Sequence, residues 1–277
     1  MIGKFLRLIQ VSRPYSWIVG IGMLLAGLKL GNGAFDFWSV LYILSVTFPL
    51  SIVLFAINDV YDYESDQKNP RKKQSVMGAA LKKTELDFVK KSFFAASAFL
   101  VFMSLLTLKI WNIIATTLLI FFSYAYSAPP VRLKEIPVLE SLSNAVIIYF
   151  IVILGYTLNE VPWNITYKAY YLLLLVFGYH IFSTIMDYDA DKKAGHMTFA
   201  VRFGKRLSAF LALLVGIAAY FLGNFETPEV RLVVLLSNIG FAATFARPKL
   251  AKLSFSLSVL LGTLLGIVFL VRAWINI

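Results

Sequence analysis

Two stretches of this sequence place acidic side chains at regular intervals beside long apolar runs. The first, NDVYDYESD at 58–66, follows the uncharged run 39–57, and the second, DYDAD at 187–191, follows another apolar run. Residues four apart lie on the same face of a helix. If helices continue through these stretches, the residues that share a face are Asn58, Asp62 and Asp66 in the first and Asp187 and Asp191 in the second. Glu64 and Asp189 fall on other faces.

The clustered carboxylates predict a site for a hard metal ion. Neighbouring carboxylates repel one another unless a positive charge lies between them, and Asp59, three residues before Asp62, adds to the first cluster. The sequence has no cysteine, and neither stretch contains histidine, so the available donors are oxygen atoms. Oxygen donors favour Mg²⁺ before Ca²⁺ or a transition metal. We therefore predict Mg²⁺ as the cofactor.

Basic residues follow both acidic stretches and lie on the connection between them. Bound Mg²⁺ is commonly completed by phosphate oxygens, and Lys and Arg bind such anions. The basic residues placed to do so are Lys68, Arg71, Lys72, Lys73, Arg132, Lys134, Lys192, Lys193, Arg202, Lys205 and Arg206. Together these features predict a metal-bridged diphosphate at a membrane surface. The alternative, solvated loop helices with salt bridges, explains one such stretch more readily than two.

The composition identifies an integral membrane protein. Of the 277 residues, 59% are hydrophobic and 15% are charged, which is more apolar than a soluble domain of this length requires. The absence of cysteine excludes disulfides and thiolate metal sites. The net charge of +11 does not indicate nucleic-acid binding, because the basic residues lie in short runs between apolar segments.

Nine apolar runs are long enough to cross a bilayer as helices. They lie near 14–31, 39–57, 92–108, 111–126, 139–158, 168–186, 207–223, 231–246 and 254–276. They predict a single all-α domain over 1–277, a bundle of nine transmembrane helices in two four-helix halves plus one, with the acidic motifs on cap loops. Most Lys and Arg residues fall in the amino terminus and in the connections on the same side of the membrane. The positive-inside rule therefore places the amino terminus and active-site loops in the cytoplasm and the carboxyl terminus outside.

Polar residues also lie within the predicted spans. His180 and Thr184 continue the line of Asp187 and Asp191 into the membrane, and Asn144 lies in the fifth span. Polar residues in a span usually face the bundle interior or a cavity, so His180 and Asn144 are candidate pocket residues. The alternative is that each only satisfies a neighbouring backbone carbonyl.

The two acidic stretches resemble the signatures of the UbiA superfamily of intramembrane prenyltransferases, NDxxDxxxD and DxxxD. The first signature is complete at 58–66. The second stands at 187–191 and is followed by Lys193, Gly195 and Thr198, as in the family's usual extension. Nine predicted spans agree with the fold of that family, so the resemblance covers nearly the whole chain.

The resemblance implies transfer of an isoprenoid chain from a prenyl diphosphate, geranyl to geranylgeranyl or longer, to a lipophilic acceptor in the bilayer. In the family, Mg²⁺ bridges both motifs and the diphosphate. Carried over to this chain, the metal ligands are Asn58, Asp59, Asp62, Asp66, Asp187 and Asp191, with Asp62, Asp66, Asp187 and Asp191 as the catalytic set. The residues implied to bind the diphosphate are Asn58, Arg71, Lys72 and Lys193.

The sequence departs from the family pattern at two places. The family's Tyr-x-x-x-Lys is replaced by Tyr126-Ser-Ala-Pro-Pro and then Val-Arg132-Leu-Lys134, so Tyr126 joins the diphosphate set with Arg132 or Lys134. After the first motif, NPRKK at 69–73 stands where many members with quinone or ether-lipid acceptors have Arg-Pro-x-Pro-x-Gly. This stretch is more similar to carotenoid-elongating members such as lycopene elongases. The acceptor classes are therefore aromatic, quinone precursor, ether lipid or carotenoid, with the carotenoid favoured.

The implied chemistry is ionisation of an allylic C–O bond to a carbocation in a dry pocket, with charge on the diphosphate stabilised by Mg²⁺ and the basic residues. Tyr126 and Tyr149 are candidate rings to stabilise the cation, at about 0.5–2 kcal/mol per contact. The base that takes the final proton is left open.

A secondary transporter is the main alternative, since matched halves and polar residues within spans are also transporter features. A transporter's acids would lie near the middle of its spans, whereas these lie at the ends. A non-catalytic scaffold, a third alternative, would not respond to removal of Mg²⁺.

Overall fold

The computed structural model describes residues 2–34, 36–67, 80–223 and 228–275, and within these ranges the regular structure is entirely helical. Its α-helices are α1 (Ile2–Val11), α2 (Tyr15–Leu30), α3 (Phe37–Tyr61), α4 (Tyr63–Asp66), α5 (Leu86–Leu106), α6 (Ile110–Ser127), α7 (Leu139–Tyr156), α8 (Tyr171–Ala194), α9 (Phe199–Phe203), α10 (Lys205–Gly223), α11 (Pro228–Ala246) and α12 (Ala251–Ile275). The predicted all-helical class is confirmed.

Eight helices in the described part of the chain are long and apolar enough to span a membrane. They correspond to α3, α5, α6, α7, α8, α10, α11 and α12. The first predicted span is α2, whose 16 residues extend only about 24 Å at 1.5 Å per residue, less than the hydrocarbon core of about 30 Å. The described part of the chain therefore has eight helices of spanning length and one shorter apolar helix, and the count of nine transmembrane helices stays a prediction.

The chain forms two compact units. The first consists of Met1–Leu133 with Phe150–Ile165, and the second consists of Lys134–Tyr149 with Thr166–Ile277. The first acidic motif lies in the first unit and the second motif lies in the second unit. The supports of each motif are therefore described within its own unit.

Glycines allow two backbones of the first unit to approach closely. A Cβ added to Gly27 of α2 would overlap the carbonyl oxygen of Val152, and one added to Gly155 would overlap the carbonyl oxygen of Leu24. Small residues permit such backbone contact between membrane helices. The α2 helix thus packs on the carboxyl-terminal part of α7 through its main chain.

Gly155→Ala is expected to destabilise the protein by about 1–3 kcal/mol, because the added methyl group forces these two backbones apart. The measurement is the thermal unfolding midpoint in detergent. Gly22→Ala is the matched control, since a Cβ at Gly22 has nothing within 4 Å and alanine favours helix. Equal midpoints for the two variants would contradict this packing.

A buried asparagine joins four helices of the first unit. The Oδ1 atom of Asn112 accepts hydrogen bonds from the hydroxyls of Tyr42 (3.1 Å) and Ser104 (2.7 Å), and its Nδ2 donates to the carbonyl of Leu154 (2.8 Å) and to Thr157 Oγ1 (3.2 Å). Asn112 has no exposed surface. Four hydrogen bonds offset the cost of burying this amide, and they tie α3, α5, α6 and the end of α7 together.

The core of the second unit forms around α8. Phe182 of α8 packs on Phe241 of α11 with ring centroids 4.9 Å apart, and the cluster includes Ala209 and Ala212 of α10. Tyr179 and Ser237 share a hydrogen bond of 2.6 Å between their hydroxyls. These contacts fix α8, whose last turns carry the second acidic motif.

Candidate active site

The first motif lies at the end of α3 and in α4. Asp62 ends α3 with φ −95° and ψ 5°, so the helix is interrupted where the sequence predicted it to continue. The four-residue spacing nevertheless persists, because the Asp62 amide donates to the Asn58 carbonyl (2.9 Å) and the Asp66 amide donates to the Asp62 carbonyl (2.8 Å). Asn58, Asp62 and Asp66 thus remain in helical register.

Side chains from α6 and the segment after it contact this motif. The hydroxyl of Ser127 donates to Asn58 Oδ1 at 3.3 Å, and Arg132 Nη2 donates to Asp62 Oδ1 at 3.5 Å. Asp66 is buried, with 6% of its surface exposed. Arg132, one of the two predicted replacements for the family lysine, therefore lies against a motif carboxylate.

Asp59 differs from the other motif acids because it is fully buried and ion-paired. Arg13 Nη2 lies 2.9 Å from Asp59 Oδ1, and the guanidinium carbon stacks 4.2 Å from the centroid of the Phe55 ring. Arg13 has a left-handed backbone with φ 50°, which a non-glycine residue adopts only when its surroundings stabilise it. Arg13 thus fixes Asp59 from the segment between α1 and α2.

The second motif occupies the last turns of α8. Asp187 and Asp191 are half-buried, whereas Asp189 is exposed and pairs with Lys205 Nζ at 3.1 Å. The helix ends at Gly195, whose φ of 82° provides the left-handed turn. The structure thus directs Asp189 away from Asp187 and Asp191, as the helical spacing predicted.

The segment after α8 folds back onto Asp191. The His196 amide donates to the Asp191 carbonyl (3.0 Å), and the Thr198 hydroxyl donates to Asp191 Oδ2 (3.1 Å). The Phe199 amide then donates to Glu140 Oε2 at 2.9 Å. Glu140 was missed by the sequence analysis, where its signal was a lone acid at the start of a predicted span.

The predicted pocket residues lie on α7 and α8. His180 Nδ1 hydrogen-bonds to Ser141 Oγ at 3.0 Å, and Tyr149 stacks on Tyr170 with centroids 5.8 Å apart. Asn144 is half-buried on α7. All of these contacts are within the second unit, and His180 and its partner Ser141 are 39 residues apart in the sequence.

The predicted diphosphate-binding residues fall into three groups. Tyr126 on α6, Arg132 and Lys134 are half-buried, and Lys193 at the end of α8 is exposed. Arg71 and Lys72 lie outside the described residues.

The donor set suits magnesium in kind. In the described part of the chain, the motif side chains offer carboxylate and amide oxygens, and no three His, Cys, Asp or Glu side chains there form a ready-made metal cluster. Mg²⁺ is typically bound through one or two carboxylates, with water and phosphate oxygens completing its octahedron. The motif residues therefore offer the kind of oxygen donor that Mg²⁺ binds.

The chain is similar in sequence to known proteins. The sequence model of the UbiA prenyltransferase family matches residues 17–254. The lycopene elongase/hydratase of Haloarcula japonica is 31% identical over 236 residues, which cover 81% of this chain and 75% of that protein.

Two solved structures share the fold. The apo structure of a UbiA homolog from Aeropyrum pernix has a TM-score of 0.71, with 19% identity over 94% of this chain and 98% of that one. A UbiA homolog from Archaeoglobus fulgidus bound to DMAPP and Mg²⁺ has a TM-score of 0.65, with 18% identity over 95% and 98%. The acidic motifs, the helical fold and the match over 17–254 together place this chain in the UbiA prenyltransferase family.

Proposed function

We propose that this prenyltransferase transfers an isoprenoid chain from a prenyl diphosphate to a carotenoid such as lycopene, in a reaction that depends on Mg²⁺. The observation that carries the proposal is the pair of acidic motifs at the ends of α3 and α8, where Asp62, Asp66, Asp187 and Asp191 keep helical spacing. The relatives named lycopene elongase/hydratase support the choice of acceptor.

The acidic and the basic residues of the site are both assigned to binding of the diphosphate. Asn58, Asp62, Asp66, Asp187 and Asp191 would hold the metal with the diphosphate. When bound, Mg²⁺ would neutralise charge on the leaving diphosphate. Arg132, Lys134 and Lys193 would bind the outer oxygens of the diphosphate. Tyr126 completes the proposed set together with Arg71 and Lys72, which lie outside the described residues.

Asp59 is assigned a supporting role within the first motif. Its Oδ1 is engaged by Arg13 and its side chain is fully buried, so its carboxylate already has a partner charge. The predicted ligand role of Asp59 stays a prediction, and the ion pair supports a structural role instead. Asp59→Asn in a Mg²⁺ titration separates the two roles, since loss of a ligand would raise the Mg²⁺ requirement.

The hydrophobic chain is assigned to the membrane-spanning part of the protein. His180, Asn144 and Tyr149 are the polar and aromatic candidates to line the pocket, and an aromatic face can stabilise an allylic cation. We place the amino terminus and both motifs on the cytoplasmic side, following the distribution of Lys and Arg, and the carboxyl terminus outside.

The experiment that tests the proposal is a product analysis with purified protein. The protein is incubated with Mg²⁺ and dimethylallyl, geranyl, farnesyl or geranylgeranyl diphosphate, each with lycopene, a quinone precursor, 4-hydroxybenzoate or an ether lipid. The expected result is lycopene extended by the prenyl unit, identified by mass, with release of pyrophosphate and no product in EDTA. Prenylation of another acceptor in place of lycopene would overturn the assignment of a carotenoid as the acceptor.

A transporter gives a different outcome in the same system. In liposomes, a transporter would move the substrate across the bilayer without releasing pyrophosphate, whereas a transferase consumes the diphosphate. Flux without Mg²⁺-dependent turnover would overturn the proposed function as a whole.

A further inference from the structure

Glu140 is a buried carboxylate with a structural connection to the second acidic motif. It is the second residue of α7 and has only 5% of its surface exposed. A carboxylate in such surroundings is stable only when it is hydrogen-bonded or paired. Its Oε2 accepts the Phe199 amide at 2.9 Å, so Glu140 satisfies a buried main-chain donor 59 residues away in the sequence.

The segment that Glu140 holds leads directly to Asp191. Phe199 follows Thr198, whose hydroxyl donates to Asp191 Oδ2 at 3.1 Å. On the other side of Phe199, the Ala200 amide donates to Thr184 Oγ1 at 3.1 Å. Because the peptide unit is planar, a hydrogen bond that holds the Phe199 amide also holds the Thr198 carbonyl of the same unit.

A second acidic residue, Glu135, also contacts the segment that follows α8. His196 Nδ1 lies 3.1 Å from Glu135 Oε1, while the His196 amide binds the Asp191 carbonyl. Val138, two residues before Glu140, has φ 73°, a conformation that a β-branched residue rarely adopts. The turn into α7 is thus held in a strained backbone that presents Glu140 to Phe199.

We propose that Glu140 is a positioning residue for the prenyl-transfer site: by holding the Phe199 amide it fixes Thr198, and Thr198 orients the Asp191 carboxylate. This inference rests on the proposed function, in which Asp191 binds magnesium and diphosphate. Partners that orient a metal-binding side chain typically contribute a factor of about 10–100 in metal affinity. Glu140 therefore acts on Mg²⁺ affinity through Thr198.

The test compares Glu140→Gln with Glu140→Leu. The glutamine carbonyl can accept the Phe199 hydrogen bond, whereas leucine cannot. The Mg²⁺ concentration at half-maximal activity is expected to rise about 10-fold or more in Glu140→Leu and to stay within about 3-fold of the wild type in Glu140→Gln. An independent readout is the rise in melting temperature caused by Mg²⁺ with inorganic pyrophosphate, which Glu140→Leu should shift to higher Mg²⁺ concentration.

Thr198→Val tests the contact between Thr198 and Asp191 without changing Glu140. It removes the donor to Asp191, and we expect it to raise the Mg²⁺ midpoint by a similar factor. Combined with Glu140→Leu it should add little, because both changes act on the same contact. If Glu140→Leu does not fold, the midpoint of Thr198→Val decides. Asp189→Asn, which changes an exposed acid of α8, is the matched control with an unchanged midpoint.

Two results would overturn the inference. One is an equal loss in Glu140→Gln and Glu140→Leu, which would indicate that the charge of Glu140 is required. The other is an unchanged Mg²⁺ midpoint in Glu140→Leu or Thr198→Val. Asp191→Asn in the same assays tests the proposed function separately: if it responds to Mg²⁺ like the wild type, the proposed function fails and this inference fails with it.

Discussion

Replacing Asp62 or Asp191 by Asn is expected to reduce prenyl transfer by at least about 10³-fold while the protein remains folded in detergent. The amide keeps the size of the side chain but loses the negative charge that binds Mg²⁺ with the diphosphate. Asp62 is half-buried beside Arg132, and Asp191 is half-buried beside Thr198, so both side chains keep polar partners after the change. The measurement is kcat/KM for the prenyl diphosphate at saturating acceptor.

The matched control for these variants is Asp189→Asn. Asp189 lies on the same helix as Asp191, but it is exposed and pairs with Lys205. An exposed pair of this kind contributes little, so activity and melting temperature should stay close to those of the wild type. Wild-type activity in both Asp62→Asn and Asp191→Asn would contradict the assignment of the two motifs.

Arg13→Ala is expected to produce the largest loss of stability, about 3–5 kcal/mol. It removes the guanidinium that pairs at 2.9 Å with the fully buried Asp59 carboxylate, so this pair no longer offsets the cost of burying that charge. It also removes the cation–π contact with Phe55. The measurement is the unfolding midpoint in detergent for the wild type and the variant, each without ligand.

Two further variants give this prediction its controls. Arg7→Ala breaks the Arg7–Glu85 pair of 2.9 Å, in which both side chains are partly exposed, and it should change stability by at most about 1 kcal/mol. Arg13→Ala combined with Asp59→Asn should recover part of the loss, because the buried negative charge is removed as well. Equal unfolding midpoints for Arg7→Ala and Arg13→Ala would show that the buried Arg13–Asp59 pair stabilises the fold no more than the partly exposed Arg7–Glu85 pair.

The helices could be predicted because a membrane span is a property of local sequence. Runs such as 39–57 carry no charge. In lipid, such a run must form its backbone hydrogen bonds within its own segment, as a helix does. The exception was α2, where a run of sufficient hydropathy forms a helix of only 16 residues. The helix lies between Pro14 and Gly31, and span counting by hydropathy does not weigh these residues.

The face on which each motif residue lies could also be predicted from local sequence. Asn58, Asp62 and Asp66 keep four-residue hydrogen bonds, although α3 ends at Asp62, because the chain re-enters a helical turn at once. The same holds on α8, where the exposed Asp189 separates from Asp187 and Asp191. A period of 3.6 residues determines these directions without any tertiary contact.

The sequence by itself determined that this chain is an all-helical membrane protein of the UbiA prenyltransferase family, with two acidic motifs at the ends of apolar helices. Only the tertiary structure decided which side chains support those motifs. Arg13 reaches Asp59 across 46 residues, and Glu140 reaches Phe199 across 59. A buried charge can be satisfied by any partner that the fold brings within about 3 Å, and sequence spacing carries no information on that choice.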